Sequence, residues 1–143
     1  MPVSISLYNH TAKLFAEGSN AVADTYKVRL MSAATFNATH TTLAATGGTE
    51  VANGNGYTTG GATLSGVTVT TTTTNDATFD ANDVTWSASG GSITAVAAIL
   101  YNDSDTNDPP LAFINFDATE TAGDGTDFKL TWNASGIFSF TVA

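Results

Sequence analysis

A chain of 143 residues with a formal net charge of −9, 26 threonines and no cysteine is long enough to bury one core, and it excludes a disulfide framework or a thiolate metal site. Its four cations, Lys13, Lys27, Arg29 and Lys129, are scattered; that leaves no phosphate-neutralising patch, and nucleic acid is not an expected partner. No apolar run reaches the roughly 18–20 residues of a membrane helix, and MPVSISLYNH lacks both regions of a secretory signal, so the chain reads as a soluble, unprocessed single domain over 1–143 with no membrane partner.

Along the chain, residues 1–20 stand apart as a helical or arm segment. In SLYNHTAKLFAEG the apolar residues Leu7, Tyr8, Ala12, Leu14 and Phe15 recur at helical spacing, Ser6 is placed to cap the start, and Gly18 suits the left-handed position after the end. This predicts a helix over 7–17. TYKVRLM then alternates Tyr26, Val28 and Leu30 with Lys27, Arg29 and Met31, the period of a strand with one wet face. Residues 32–61 are rich in Ala, Thr, Gly and Asn and read as a long ordered loop or short hairpin pinned by Tyr57.

Three β-rich runs follow: TLSGVTVTTTTT, ATFDANDVTWSA and SITAVAAILY. They predict strands in meander order, and the apolar stretch 96–100 places the third in the middle of a sheet, covered on both faces. LAFINF predicts another strand covered on both faces. FKLTWNA and GIFSFTV predict two more, broken by a turn at 133–136. Seven or eight short β-branched strands with turns about every ten residues predict an all-β fold, an antiparallel, jelly-roll-like β-sandwich with a short N-terminal helix.

Few residues carry a chemical pattern. The two histidines, His10 and His40, lie on the helix and in a Thr-rich loop, and no serine sits in a nucleophile elbow. Asp80, Asp83, Asp117 and Glu120 include enough carboxylates for a glycosidase pair, but they read as exposed turn acids. Asp103, Ser104, Asp105, Thr106, Asn107 and Asp108 begin like a calcium loop, yet Asp108 and Ile114 stand where that loop needs Gly and Glu. An acidic hairpin tip whose side chains cap their own backbone is the expectation there. Sequons at Asn37, Asn102 and Asn133 are those that a Thr- and Asn-rich chain yields by chance. No catalytic residue, metal or cofactor is expected.

The one repeat is DVTWSASG at 83–90 against KLTWNASG at 129–136. A Trp at a strand end followed by a tight turn caps a sandwich core, so two copies of a structural device are expected; exposed rings stacking on sugars are the alternative. Taken together, GNGYTTGGATLSG, DVTWSASGGSITAVAAILY and LTWNASGIFSF resemble a family of small virion proteins of tailed bacteriophages. The motif positions are Gly54, Gly56, Tyr57, Gly60, Gly61, Asp83, Val84, Trp86, Leu100, Tyr101, Trp132, Asn133, Gly136 and Phe138. The resemblance implies a non-enzymatic structural protein, a capsid decoration or cement protein stabilising the head, with a tail or head-fibre protein carrying glycan-binding loops as the alternative. It further implies partners such as the major capsid protein or other virion proteins, and a place on the outer surface of the capsid after assembly in the host cytoplasm. A homo-oligomer, a trimer on three-fold positions, is the expected state.

Overall fold

The computed structural model describes residues 3–71 and 75–141. In chain order the elements are β1 (Ser4–Leu7), α1 (Thr11–Ala16), β2 (Tyr26–Ala33), a 3-10 turn (Ala44–Thr46), β3 (Thr49–Glu50), β4 (Ala62–Thr63), β5 (Thr68–Thr70), β6 (Asp76–Asp80), β7 (Val84–Ser87), β8 (Ile93–Asn102), β9 (Pro110–Ala122), β10 (Asp127–Leu130) and β11 (Phe138–Thr141). The protein is all-β, antiparallel and sandwich-like, with one short helix, as the strand spacing predicts.

One layer is a sheet in the order β1-β9-β8-β2-β3, with β4 also pairing β2. The other layer is two smaller sheets, β10-β7 and β11-β6-β5. The register explains the core. Val28 faces Leu100, Leu100 faces Ala112, and Leu7 faces Ala112 from the far side, so one apolar row crosses four strands. That row packs in a single cluster with Phe79, Val84, Trp86, Phe128 and Leu130 of the second layer. Burial of this apolar area is the main force holding the layers together.

The opposite face of the large sheet is covered too. Met31, Ala97, Ile99 and Phe113 form a second cluster with Tyr8, and Ala34 and Leu43 of the long loop pack on it. The face of β2 expected to be wet is therefore only partly so. β8 lies between β9 and β2 and is buried on both sides from Ala97 onward, which is what its unbroken apolar run demands.

Three further sequence expectations are corrected. The helix is shorter than 7–17: it begins at Thr11 after His10, and Ser6 lies in β1 opposite Phe113 instead of capping it. The free edge of β9 offers residues 4–7 ladder hydrogen bonds, and Tyr8 extends them by donating its amide to Leu111 O at 3.1 Å; tertiary pairing overrides the local helical period. Gly18 does take the left-handed conformation, at φ 82°. The N-terminal arm is thus built into the sandwich.

The meander is also corrected. β5 and β6 pair, but β6 then pairs β11 whereas β7 pairs β10. ATFDANDVTWSA is two strands in two sheets, parted at 81–83, where Asp80 Oδ1 accepts the Ala81 amide and the Asn82 amide donates to Ser65 O. Part of the run TLSGVTVTTTTT, residues 72–74, lies outside the described residues. Finally, β9 runs well past LAFINF to Ala122. Between Ala95↔Glu120 and Ala97↔Asn115 it takes five residue steps against two on β8, a bulge at which Asp117 adopts φ 59°.

Candidate functional site

The repeated motif is a single ladder. β7 and β10 pair with Val84 opposite Leu130 and Trp86 opposite Phe128, so the two copies are the two strands of one ribbon. Continuing the register brings Trp132 across from Asn82. There the Trp132 amide donates to Asp83 Oδ1 at 2.9 Å and its Nε1 donates to Asn82 O at 3.1 Å. The two rings lie at opposite ends of the ribbon, 5% and 7% exposed, and Trp86 meets Tyr57 and Phe128. Neither ring forms an exposed platform for a sugar.

The two turns after the tryptophans close differently. After Trp86 the chain is tied to its neighbours, Ala88 N to Thr126 O and Gly90 N to Asp124 Oδ1, both at 2.8 Å. After Trp132 it closes on itself, with Asn133 Oδ1 accepting the Ser135 amide and Asn133 O accepting the Gly136 amide. Gly136 sits at φ 104°, where a Cβ would strike the Thr78 side chain. Ile137 N then donates to Phe79 O, and Phe138 stacks on Phe79 with ring centres 5.0 Å apart.

The glycine loop is built around a buried tyrosine. Gly54 and Tyr57 exchange backbone hydrogen bonds at 2.8 and 2.9 Å. A Cβ on Gly56 would run into Ser87 O, and one on Gly61 into Val28 O, so both glycines let the loop lie flat on the strands. Tyr57 OH donates to Glu50 Oε1 at 2.7 Å and accepts the Leu30 amide at 3.0 Å. Glu50 Oε1 also accepts the Gly60 amide at 2.6 Å, and Gly60 O accepts Tyr101 OH at 2.7 Å. Arg29 approaches Glu50 at 3.9 Å and donates to Thr46 Oγ1. Burial above all, and then the bond to Glu50, hold the Tyr57 phenol far above its ordinary titration range. Sequence reasoning named Tyr57 but missed Glu50. The available signal was that Glu50 is the lone Asp, Glu, Lys or Arg between Arg29 and Asp76.

The acidic tip between β8 and β9 caps its own backbone, as predicted. Asp105 Oδ1 accepts the Asn107 amide and Asp105 O the Asp108 amide; Asp103 pairs with Lys27 at 3.0 Å. Among the described residues no group of three or more His, Asp or Glu is placed to hold a metal ion. Asn102, one of the sequons, is fully buried and donates to Asn20 Oδ1 and Asp24 Oδ2; Asn37 and Asn133 are exposed. His10 is committed to Pro110 O at 2.7 Å. Of the four acids expected in exposed turns, only Asp83 lies between strands, where it serves the Trp132 amide; this corrects the expectation for Asp80, which ends β6 and accepts the Ala81 amide, and for Asp117 and Glu120, which lie on the long strand β9.

Open on the surface is an apolar groove of about 680 Å³ between α1 and the sheet β11-β6-β5. Phe15 lies against Phe79, Phe138 and Phe140 with ring centres 5.7–6.1 Å apart. Val69, Ala77 and Phe140 continue the lining on the same sheet face, and no lining residue is charged. The sequence showed Val69, Ala77 and Phe140 as ordinary strand residues and Phe15 as part of a helix. Compared with models of protein families, with characterised proteins and with solved structures, the chain matches none.

Proposed function

We propose that this is a structural protein of a tailed-bacteriophage virion, a capsid decoration or cement protein on the outer surface of the head. The observation that supports this reading is the use made of the motif residues behind the resemblance. Tyr57, Trp86, Tyr101 and Trp132 are buried, Gly56, Gly61 and Gly136 allow close approach, Asp83 ties the β7–β10 ribbon at one end, and Asn133 fixes a turn. The motif specifies a rigid scaffold, and the chemistry of the surface is left to packing. On this reading the protein is not an enzyme and uses no cofactor. It binds the major capsid protein or other virion proteins as a homo-oligomer, and it is made in the host cytoplasm.

The physical consequence is linkage: a protein that binds only the assembled shell stabilises that shell. Many weak contacts act together, and the charge of −9 keeps decorated heads apart from one another and from DNA. The test is a particle that lacks the protein. Such particles are expected to assemble but to break at lower temperature, and intact heads to carry many copies in register with the shell lattice. Heat-stable particles that no longer adsorb to cells, or a few copies per virion, would reject the cement role.

A fibre role with glycan-binding loops is the second reading, favoured by one feature. Phe36 is 37% exposed and lines, with Asn115 and Asp117, an open cleft of about 490 Å³; an aromatic face beside polar groups suits a sugar ring. Binding to an array of host surface glycans, lost in Phe36→Ala, would support it over cement.

A further inference from the structure

We propose that two copies of this chain join edge to edge through β5, in an antiparallel pair centred on Val69. β5 is an outer strand of the sheet β11-β6-β5. It is also the one strand, among the described residues, whose every residue is exposed. Edge strands that must stay apart carry Lys, Pro, a bulge or a covering segment. Thr68-Val69-Thr70 has neither Lys nor Pro, and it pairs with β6 in unbroken register.

Three observations favour a second copy as the occupant. First, charge: no Asp, Glu, Lys or Arg occurs between Glu50 and Asp76, and the groove beside β5 is lined without charge. The acids of this sheet, Asp76 and Asp80, stand on β6, one strand in from the free edge, so in a molecule of net charge −9 this edge lets two copies meet without setting acids directly opposite each other. Second, self-complementarity: a two-fold contact needs one patch that fits itself. An antiparallel pair about Val69 sets Val69 against Val69 and Thr68 against Thr70, both favourable cross-strand pairs. Third, continuity: Val69 faces the same side as Phe79, its partner in β6. The joined six-stranded sheet therefore carries both grooves on one face, with the two Val69 side chains, each 40% exposed alone, covered between them.

The contact is small beside the ~800 Å² per partner of a standard interface, so it gives a concentration-dependent pair. It is two-fold, unlike the trimer expected from three-fold positions. The pairing needs only the chain itself and is independent of a place on a capsid.

Because the chain has no cysteine, one experiment reads the contact directly. The full chain is followed by analytical ultracentrifugation, and Val69→Cys is oxidised in dilute solution, with Val22→Cys as the control at another exposed valine. The expected results are a monomer–dimer equilibrium and a disulfide-linked dimer from Val69→Cys but not Val22→Cys, since directly opposed strand residues fall within disulfide reach. Val69→Lys should weaken the dimer by at least about tenfold by setting like charges opposite each other. Added salt should tighten the wild-type pair by screening the −9 charge. A chain that stays monomeric up to about 1 mM, a trimer unmoved by Val69→Lys, or equal cross-linking of both cysteine variants would overturn the proposal. Retained thermal midpoints in the two Val69 variants would show that a loss of pairing is not a loss of fold.

Discussion

Trp132 and Asp83, 49 residues apart, are joined by a hydrogen bond of 2.9 Å from backbone amide to carboxylate, and this bond ties the second copy of the repeated motif to the first residue of the other. The ribbon of β7 and β10 is closed at that end by a side chain where a further pair of strand residues would otherwise stand.

Truncating either ring is therefore a core mutation. Trp132→Ala and Trp86→Ala should each cost about 3–5 kcal/mol in denaturant unfolding. Asp83→Ala, which leaves the Trp132 amide without its acceptor, should cost about 1–3 kcal/mol. The Asp83→Ala/Trp132→Ala double variant should lose less than the sum, because the two residues act through one contact. Unchanged midpoints together with lost glycan binding would return the rings to an exposed platform.

The glycine loop gives a graded test. Gly61→Ala combines a positive φ with a collision against Val28 O and should cost roughly 2–5 kcal/mol. Gly18→Ala, with φ 82° but nothing within 4 Å of the added carbon, should cost only about 1–2 kcal/mol. Equal losses would mean that conformation alone, and not close approach, selects glycine at position 61.

All four tyrosines are held above their ordinary value of 10.0, in each case chiefly by burial; Tyr8 and Tyr101 are pushed up to about 12, Tyr26 and Tyr57 further. A phenol whose folded value is raised stabilises the fold fully below its unfolded value, and that contribution is lost as pH rises through the folded value. The tyrosines' share of the stability should thus be constant below about pH 10 and fall steeply above it. Absorbance at alkaline pH should show the four phenolates appearing together with unfolding. Tyr57→Phe, which strands the Leu30 amide and removes a donor from Glu50, should lower stability at neutral pH by about 1–3 kcal/mol.

Asp108 is raised by burial first and then by Asp103, against the opposing pull of Lys27. Its carboxyl favours the fold when protonated, an advantage present below the ordinary value of 3.8 and lost as pH rises through the folded value. Asp108→Asn should accordingly raise the midpoint at neutral pH and leave it unchanged in acid. The left-handed backbone at φ 46° suits Asn as well as Asp. Calcium should leave the midpoints of both proteins where they were; a stoichiometric calorimetric signal abolished by Asp105→Ala would contradict the self-capped tip.

Much of the fold was legible in the sequence because it follows from local chemistry. Alternation fixed β2, an unbroken apolar run placed β8 at the centre of a sheet, and the Asx and Gly runs marked the turns at 103–108 and 133–136. Those signals are carried by residues next to one another, where period and turn preference operate. Partner choice is not local. That residues 4–7 are a strand depends on the free edge of β9, and that ATFDANDVTWSA divides between two sheets depends on β11 and β10, which lie some fifty residues further on. Glu50 drew no attention because its partners, Tyr57, Gly60 and Arg29, converge only when the loop folds over β2. The groove under α1 is likewise invisible in sequence, since Phe15, Val69 and Phe140 are ordinary apolar residues until α1 folds over the sheet β11-β6-β5. The sequence by itself determined the β class, the turns and the strands that must be buried on both faces. Only the tertiary structure decided which edges pair, because ladder hydrogen bonds are the same for every strand and burial alone selects among them.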